Sequence, residues 1–184
     1  MKREEGMRGM TLIELMLVIA IMAICAGFTS HGMELIRRER VASAARDLYA
    51  DIQKARVDAM TRDDRGFGIR LVSQNSYVMF KFDDCNTDSN YDSDTCLGGT
   101  REETDIVQRE LHPSVVLHKT NPSTEVSNDV RIFDRFGSPR RSTGGMGGIT
   151  ILVGNNQDAG PIRCISISTN RIREGIWNGS QCSS

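Results

Sequence analysis

Aromatic residues make up only 5% of this 184-residue chain, so its core has to be assembled from Ile, Val, Leu and Met. Histidine occurs three times, as His31, His112 and His118. None of the three stands at metal-ligand spacing from a cysteine or an acid, which removes the common zinc chemistries. The glycine run Gly144–Gly148 lacks the Lys-Ser/Thr ending of a phosphate loop and precedes a strand pattern, so it reads as a turn. Neither sign of charge dominates: 23 Lys and Arg stand against 24 Asp and Glu, and a net charge of -1 gives the whole chain no field for a polyanion. There is no internal repeat and only one long apolar run, which excludes a polytopic membrane protein. With 39% hydrophobic residues the chain is no disordered tail either. An enzyme is not expected, nor is a cofactor; one modest domain with an accessory segment is.

That accessory segment is the apolar run from Met10 to Phe28. As a helix it would be about 28 Å long, enough for a hydrocarbon core of ~30 Å. The preceding residues carry Lys2, Arg3 and Arg8 against Glu4 and Glu5, a positive excess that places this end in the cytoplasm and the remainder outside. Glu14 interrupts the run. A carboxylate at membrane depth costs about 2.5–3.5 kcal/mol on insertion scales, so it calls for a partner or a neutral state. A cleaved signal peptide fits poorly, because an acidic residue is unusual in such an apolar region and no clean A-x-A site follows it, and a lipoprotein site at Cys25 is disfavoured by the bulk of Ile24.

Helical periodicity continues past the membrane segment. Val41, Ala44, Ala45, Leu48, Ile52, Ala55 and Ala59 form one stripe at spacings of three and four, while Arg46, Asp47, Asp51, Lys54, Arg56 and Asp58 occupy other faces. With Arg62-Asp63-Asp64 as the stop, the helix would run for roughly 53 residues, ~80 Å. Gly27 and Gly32 bracket the change from lipid-soluble to domain-packed sequence, each weakening the helix by about 1 kcal/mol relative to Ala.

Beyond Arg65 the period becomes two. Strands are predicted at Gly66–Val72, Tyr77–Phe82, Ile106–Leu111, Ser114–His118, Val130–Phe133, Ile149–Val153, Ile162–Ser168 and Arg171–Ile176. The fold class is α+β: a long N-terminal helix, membrane-spanning in its first half, packed on an antiparallel β-sheet or β-sandwich domain.

Four cysteines follow the membrane segment. Of their three possible pairings, Cys85 with Cys96 and Cys164 with Cys182 needs the least chain rearrangement; free thiols are the alternative. Inside the first loop, Asp88, Asn90, Asp92 and Asp94 alternate as oxygen ligands. Ser93 stands where an EF-hand needs Gly and Gly99 where it needs Glu, so the segment is either a calcium loop of another kind or a solvated acidic loop. Charge is segregated along the chain. Lys81–Asp129 holds 11 acids and 4 bases, net -7, whereas Arg131–Arg173 holds 2 acids and 7 bases, net +5. Arg171 and Arg173 lie two apart on a predicted strand and would share a face; with Arg140, Arg141 and Arg163 they could neutralise phosphates without reading bases.

The run Gly9-Met10-Thr11-Leu12-Ile13-Glu14-Leu15 resembles the processing site of type IV pilins and pseudopilins. Three later segments, Ala55–Ala59, Ile132–Pro139 and Ile165–Arg173, make the chain similar to the GspH/FimT branch of that superfamily. The resemblance implies cleavage between Gly9 and Met10 by a prepilin peptidase, methylation of the new terminus, and pairing of Glu14 with a neighbour's amino terminus. Met10 stands where the family usually has Phe. It further implies four parts: a leader peptide (1–9), a transmembrane and fibre-core helix (10–28), its periplasmic continuation (29–62) and a β-rich globular domain (63–184). The expected partners are other pilin or pseudopilin subunits, the prepilin peptidase and the bacterial inner membrane, with the globular domain in the periplasm and fibre-associated after assembly. The expected function is that of a minor pilin or pseudopilin of a type IV pilus or a type II secretion system. The alternative is a fibre-borne subunit that binds double-stranded DNA during uptake; some family members do so through Gly-Arg-x-Arg, where this chain has Asn170-Arg171-Ile172-Arg173.

Overall fold

A computed structural model describes residues 11–61, 66–82, 103–119, 129–141, 147–156 and 162–183. Its contacts divide the chain into two units, one ending at Arg37 and one running from Arg38 to Ser184. A single helix, α1 (Leu12–Thr61), begins in the first and ends in the second.

In the first unit, every side chain from Thr11 to Gly27 is exposed. An apolar surface on all sides of a helix has no place in water, and this stretch is long and apolar enough to cross a membrane. The helix starts at Thr11, whose hydroxyl accepts a hydrogen bond from the Glu14 backbone N–H at 3.4 Å while its carbonyl accepts from the N–H groups of Glu14 and Leu15. Thr-x-x-Glu is the capping-box pattern, which satisfies donors that the first turn would otherwise leave orphaned.

In the second unit, α1 lays the predicted stripe on two five-stranded antiparallel sheets. One has the order β3-β2-β1-β5-β6 and the other β10-β9-β8-β7-β4. The strands are β1 (Gly66–Ser73), β2 (Ser76–Phe82), β3 (Glu103–Glu110), β4 (Val115–Lys119), β5 (Asp129–Phe133), β6 (Pro139–Arg141), β7 (Ile149–Asn155), β8 (Arg163–Ile167), β9 (Ile172–Trp177) and β10 (Cys182–Ser183). Leu48, Ile52, Ala45 and Ala59 of α1 meet Phe67, Ile69, Tyr77 and Phe133 of the first sheet and Leu117, Ile151, Val153 and Ile165 of the second in one core. Alanines on the stripe let the helix sit close to both sheets, while the large side chains come from the strands. The outer face of the first sheet carries its own smaller cluster, Phe80, Phe82 and Ile132. Gly68 makes room for it: a Cβ there would lie 2.7 Å from the Phe80 ring and 2.5 Å from the Arg131 carbonyl oxygen.

The eight predicted strands are present with shifted ends, and β6 and β10 are additional. Arg171 is not part of β9. The backbone N–H and hydroxyl of Ser168 both donate to the Arg171 carbonyl, closing a turn that delays the strand to Ile172. Cys164 and Cys182 form the expected disulfide, which ties β8 to the short β10. Cys85 and Cys96 lie outside the described residues, as do Asp88, Asn90, Asp92 and Asp94.

Candidate functional site

Gly9 and Met10 also lie outside the described residues, so the structural view of the amino terminus begins at Thr11. Glu14 sits in the first turn of α1 with an exposed side chain. A carboxylate there interacts favourably with the positive end of the helix dipole. That local role does not need the acid to lie in an otherwise apolar stretch, so capping alone leaves the cost of its location unexplained.

Among the described residues of the globular unit, two polar clusters tie elements together around the helix. The first joins α1 to the β2–β3 edge. The Tyr77 hydroxyl donates to Asp51 Oδ2 at 2.8 Å, and Arg109 Nε lies 3.4 Å from the same oxygen. Tyr77 and Arg109 are register partners on β2 and β3, so one helical carboxylate fixes how both strands meet the helix. Burial, reinforced by the hydrogen bond to Asp51, pushes the Tyr77 phenol far above its ordinary value. Above about pH 10 the unfolded chain ionises this phenol and the folded chain does not, so stability falls with rising pH by up to ~1.4 kcal/mol per pH unit. Tyr77→Phe is expected to lose that component and to cost about 1–2 kcal/mol at neutral pH. Unfolding midpoints of both proteins between pH 8 and pH 11 check this; parallel curves would contradict it.

The second cluster is built on the β5–β6 turn. Asp134 Oδ1 accepts from the backbone N–H groups of Phe136 and Ser138, each at 2.9 Å, and Oδ2 accepts from Arg140 Nε at 2.8 Å. Gly137, at φ +70°, closes the turn with its N–H on the Asp134 carbonyl at 2.7 Å. The turn is pressed against the end of α1, because a Cβ on Gly137 would lie 2.8 Å from Met60 Sδ and 3.0 Å from Arg56 Nε. Arg56 in turn donates to the Asn170 carbonyl at 3.3 Å, so the β8–β9 turn reaches the same helix end.

The five arginines singled out in the sequence are not gathered into one patch. Arg140 lies on the first sheet, where it pairs with Asp134. Arg141 lies opposite Arg131 in the ladder. Arg163 stands across from Ile176, and Arg173 across from Ser166; strand alternation therefore puts Arg163 and Arg173 on opposite faces of the second sheet. Glu174 lies 3.9 Å from Arg163. Arg171 is exposed on the β8–β9 turn.

Residues 6–30 match the family model described as the prokaryotic N-terminal methylation motif. The amino terminus is type IV pilin-like. The matched stretch spans Gly9, Met10, the Thr11 cap and Glu14, and it runs into the exposed apolar part of α1. A comparison with curated proteins gave no match. Two solved structures of the type IV minor pilin FimU of Pseudomonas aeruginosa, strain PAO1, are similar at 16% identity. In one, 78% of this chain aligns with 97% of that chain at a TM-score of 0.48. In the other, 80% aligns with 95% at a TM-score of 0.49.

In this pilin-like chain the fold is a long helix on antiparallel sheets, as the periodicity predicts. The Asp51–Tyr77–Arg109 cluster was not legible beforehand. Asp51 stands beside the apolar stripe, but nothing in the sequence pairs it with residues 26 and 58 positions away. The Asp134–Arg140 cluster had a readable signal in Asp-Arg-Phe-Gly-Ser-Pro, a turn sequence with an Asx acceptor at its start.

Proposed function

We propose that this chain is a minor pilin or pseudopilin subunit of the GspH/FimT type, cleaved between Gly9 and Met10 and assembled through α1 into a periplasmic fibre of a type IV pilus or a type II secretion system. The observation that carries the reading is the methylation motif at residues 6–30 leading directly into a helix whose apolar surface is exposed on every side. Such a surface is stable in lipid and equally stable against like helices of other subunits, which is what a subunit moving from membrane to fibre requires. Prepilin peptidase, the inner membrane and other pilin-like subunits are the partners this reading calls for. The role is structural, and no chemistry is assigned to it.

Glu14 is the residue assigned to register. An acid and a neighbour's amino terminus that satisfy each other inside an apolar bundle fix axial position, because a slip leaves both unpaired. The test of the reading is Gly9→Leu, which puts a branched side chain at the scissile bond. The precursor should remain uncleaved in the membrane and absent from fibres; cleavage and assembly at the normal level would refute it. Binding of double-stranded DNA draws no support from the placement of Arg140, Arg163 and Arg173, and it is not part of this proposal.

A further inference from the structure

Exposed apolar side chains of the globular unit gather at one end. Among the described residues of Arg38–Ser184, six large hydrophobics are exposed, and three of them, Val57, Met60 and Phe136, belong to the end of α1 and the β5–β6 turn seated on it. The other three, Val72, Ile106 and Ile176, lie singly on β1, β3 and β9. Val57 and Met60 are three apart on α1 and so are neighbours on one face. Gly137 brings the turn onto that face, since a Cβ there would lie 2.8 Å from Met60 Sδ, and Phe136 is the residue before it. Its ring is 69% exposed. Apolar residues scattered singly over a surface are ordinary, whereas three gathered on a fixed base mark a surface that meets a partner.

The rim of this patch is basic. The Arg135 guanidinium lies 4.9 Å from the Phe136 ring centroid. Arg56 donates to the Asn170 carbonyl at 3.3 Å, which brings the β8–β9 turn and its exposed Arg171 to the same helix end. The acid of the β5–β6 turn, Asp134, is buried and already accepts from the Phe136 and Ser138 N–H groups and from Arg140, and Asp58 stands about 200° round the helix from both Arg56 and Met60. The backbone under Phe136 is held by Asp134, so little ordering entropy is lost when the ring is covered. Aromatic and arginine side chains are also the types enriched where proteins meet.

We infer that the Phe136 tip, with Val57 and Met60 beside it and Arg56, Arg135 and Arg171 at its rim, is a docking surface for a different pilin-like subunit, one that presents an apolar hollow bordered by carboxylates. Shape and charge select that chemistry, because a protruding ring needs a hollow and a rim of guanidinium groups needs acids opposite it. A second copy of this chain is not the occupant. Two such tips meeting face to face would set arginines against arginines. A contact between two different patches of one chain would propagate as an open array, which a subunit of minor abundance does not form. Every residue of the surface lies within the unit Arg38–Ser184, so the inference does not depend on how that unit stands relative to the apolar segment. It does rest on the minor-subunit reading, which it deepens by naming the face that joins this subunit to a non-identical neighbour.

The experiment uses the full chain in its own membranes, with the photoreactive benzophenone analogue of phenylalanine placed at Phe136 and, in a second variant, at Val57. Both probes should crosslink to the same partner chain, one of different sequence that carries an N-terminal methylation motif of its own, and peptide mapping should place the adduct within a few residues of an Asp or Glu. The same probe at Ile106, exposed on β3, should give none of that adduct. Arg135→Glu in the Phe136-probe chain should lower the adduct about tenfold, whereas Arg135→Lys, which keeps the charge, should retain most of it. Adducts with copies of the same chain or with a chain lacking the motif, an equal yield from Ile106, or a yield indifferent to Arg135→Glu would overturn the docking surface. A processed, fibre-incorporated chain that gives no adduct from either probe overturns it too and leaves the fibre reading standing. A chain that is never processed overturns both.

Discussion

Glu14→Ala is expected to lower incorporation into fibres about a hundredfold while leaving membrane insertion and the globular unit unaffected. The variant removes a carboxylate that costs about 2.5–3.5 kcal/mol at membrane depth, so insertion is if anything easier. If Glu14 pairs with a neighbour's amino terminus as proposed, the variant strands that terminus in the fibre, and breaking a buried pair from one side costs about 3–5 kcal/mol. The structure supplies the control. The Glu14 N–H donates to the Thr11 hydroxyl, which places Glu14 where the capping-box pattern takes Gln as well as Glu. Glu14→Gln therefore keeps the helix start and loses only the charge. Quantifying both variants in sheared fibres separates the roles: equal loss assigns Glu14 to the inter-subunit pair, and normal incorporation of the Gln variant would reduce it to a cap.

Asp134→Ala is expected to cost the folded unit about 3–5 kcal/mol. Its carboxylate is buried, and it accepts from two backbone N–H groups and one guanidinium. Removing it takes the acceptor away from the Phe136 and Ser138 N–H groups and the charge from beside Arg140, at a turn where Gly137 is already committed to a positive φ. Asp134→Asn retains an acceptor for the Phe136 and Ser138 N–H groups and loses only the charge opposite Arg140, so about half the cost should return. Denaturation of the detergent-solubilised protein measures both; a loss below about 1 kcal/mol for the Ala variant would show that the turn is held by something else.

The long helix and the sheets were legible because each announces itself through a period. The stripe from Val41 to Ala59 is buried as its spacing predicts. What escaped were elements held by something other than an apolar period. β6 is Pro139-Arg140-Arg141, three residues with no apolar alternation, and it exists because the Asp134 turn returns the chain beside β5. β10 is two residues long and is tied in place by the disulfide to Cys164. β7 runs on through Gly154 and Asn155, which look like turn residues, because β4 supplies Val116 and Val115 as partners. The arginines divide between faces for a related reason. β8 buries both Cys164 and Ile165, so its sequence does not say which face Arg163 takes; only the register with Ile176 decides it. Arg171 left the strand because the Ser168 turn claims its carbonyl.

The mass of the mature chain tests the central claim most directly. Protein purified from membranes and sheared fibres is subjected to intact-mass and amino-terminal peptide analysis. The account predicts a chain beginning at Met10 and carrying one additional methyl group, with residues 1–9 removed. A chain that begins beyond Cys25 would contradict it, because the apolar part of α1 and Glu14 would then be absent from the working protein.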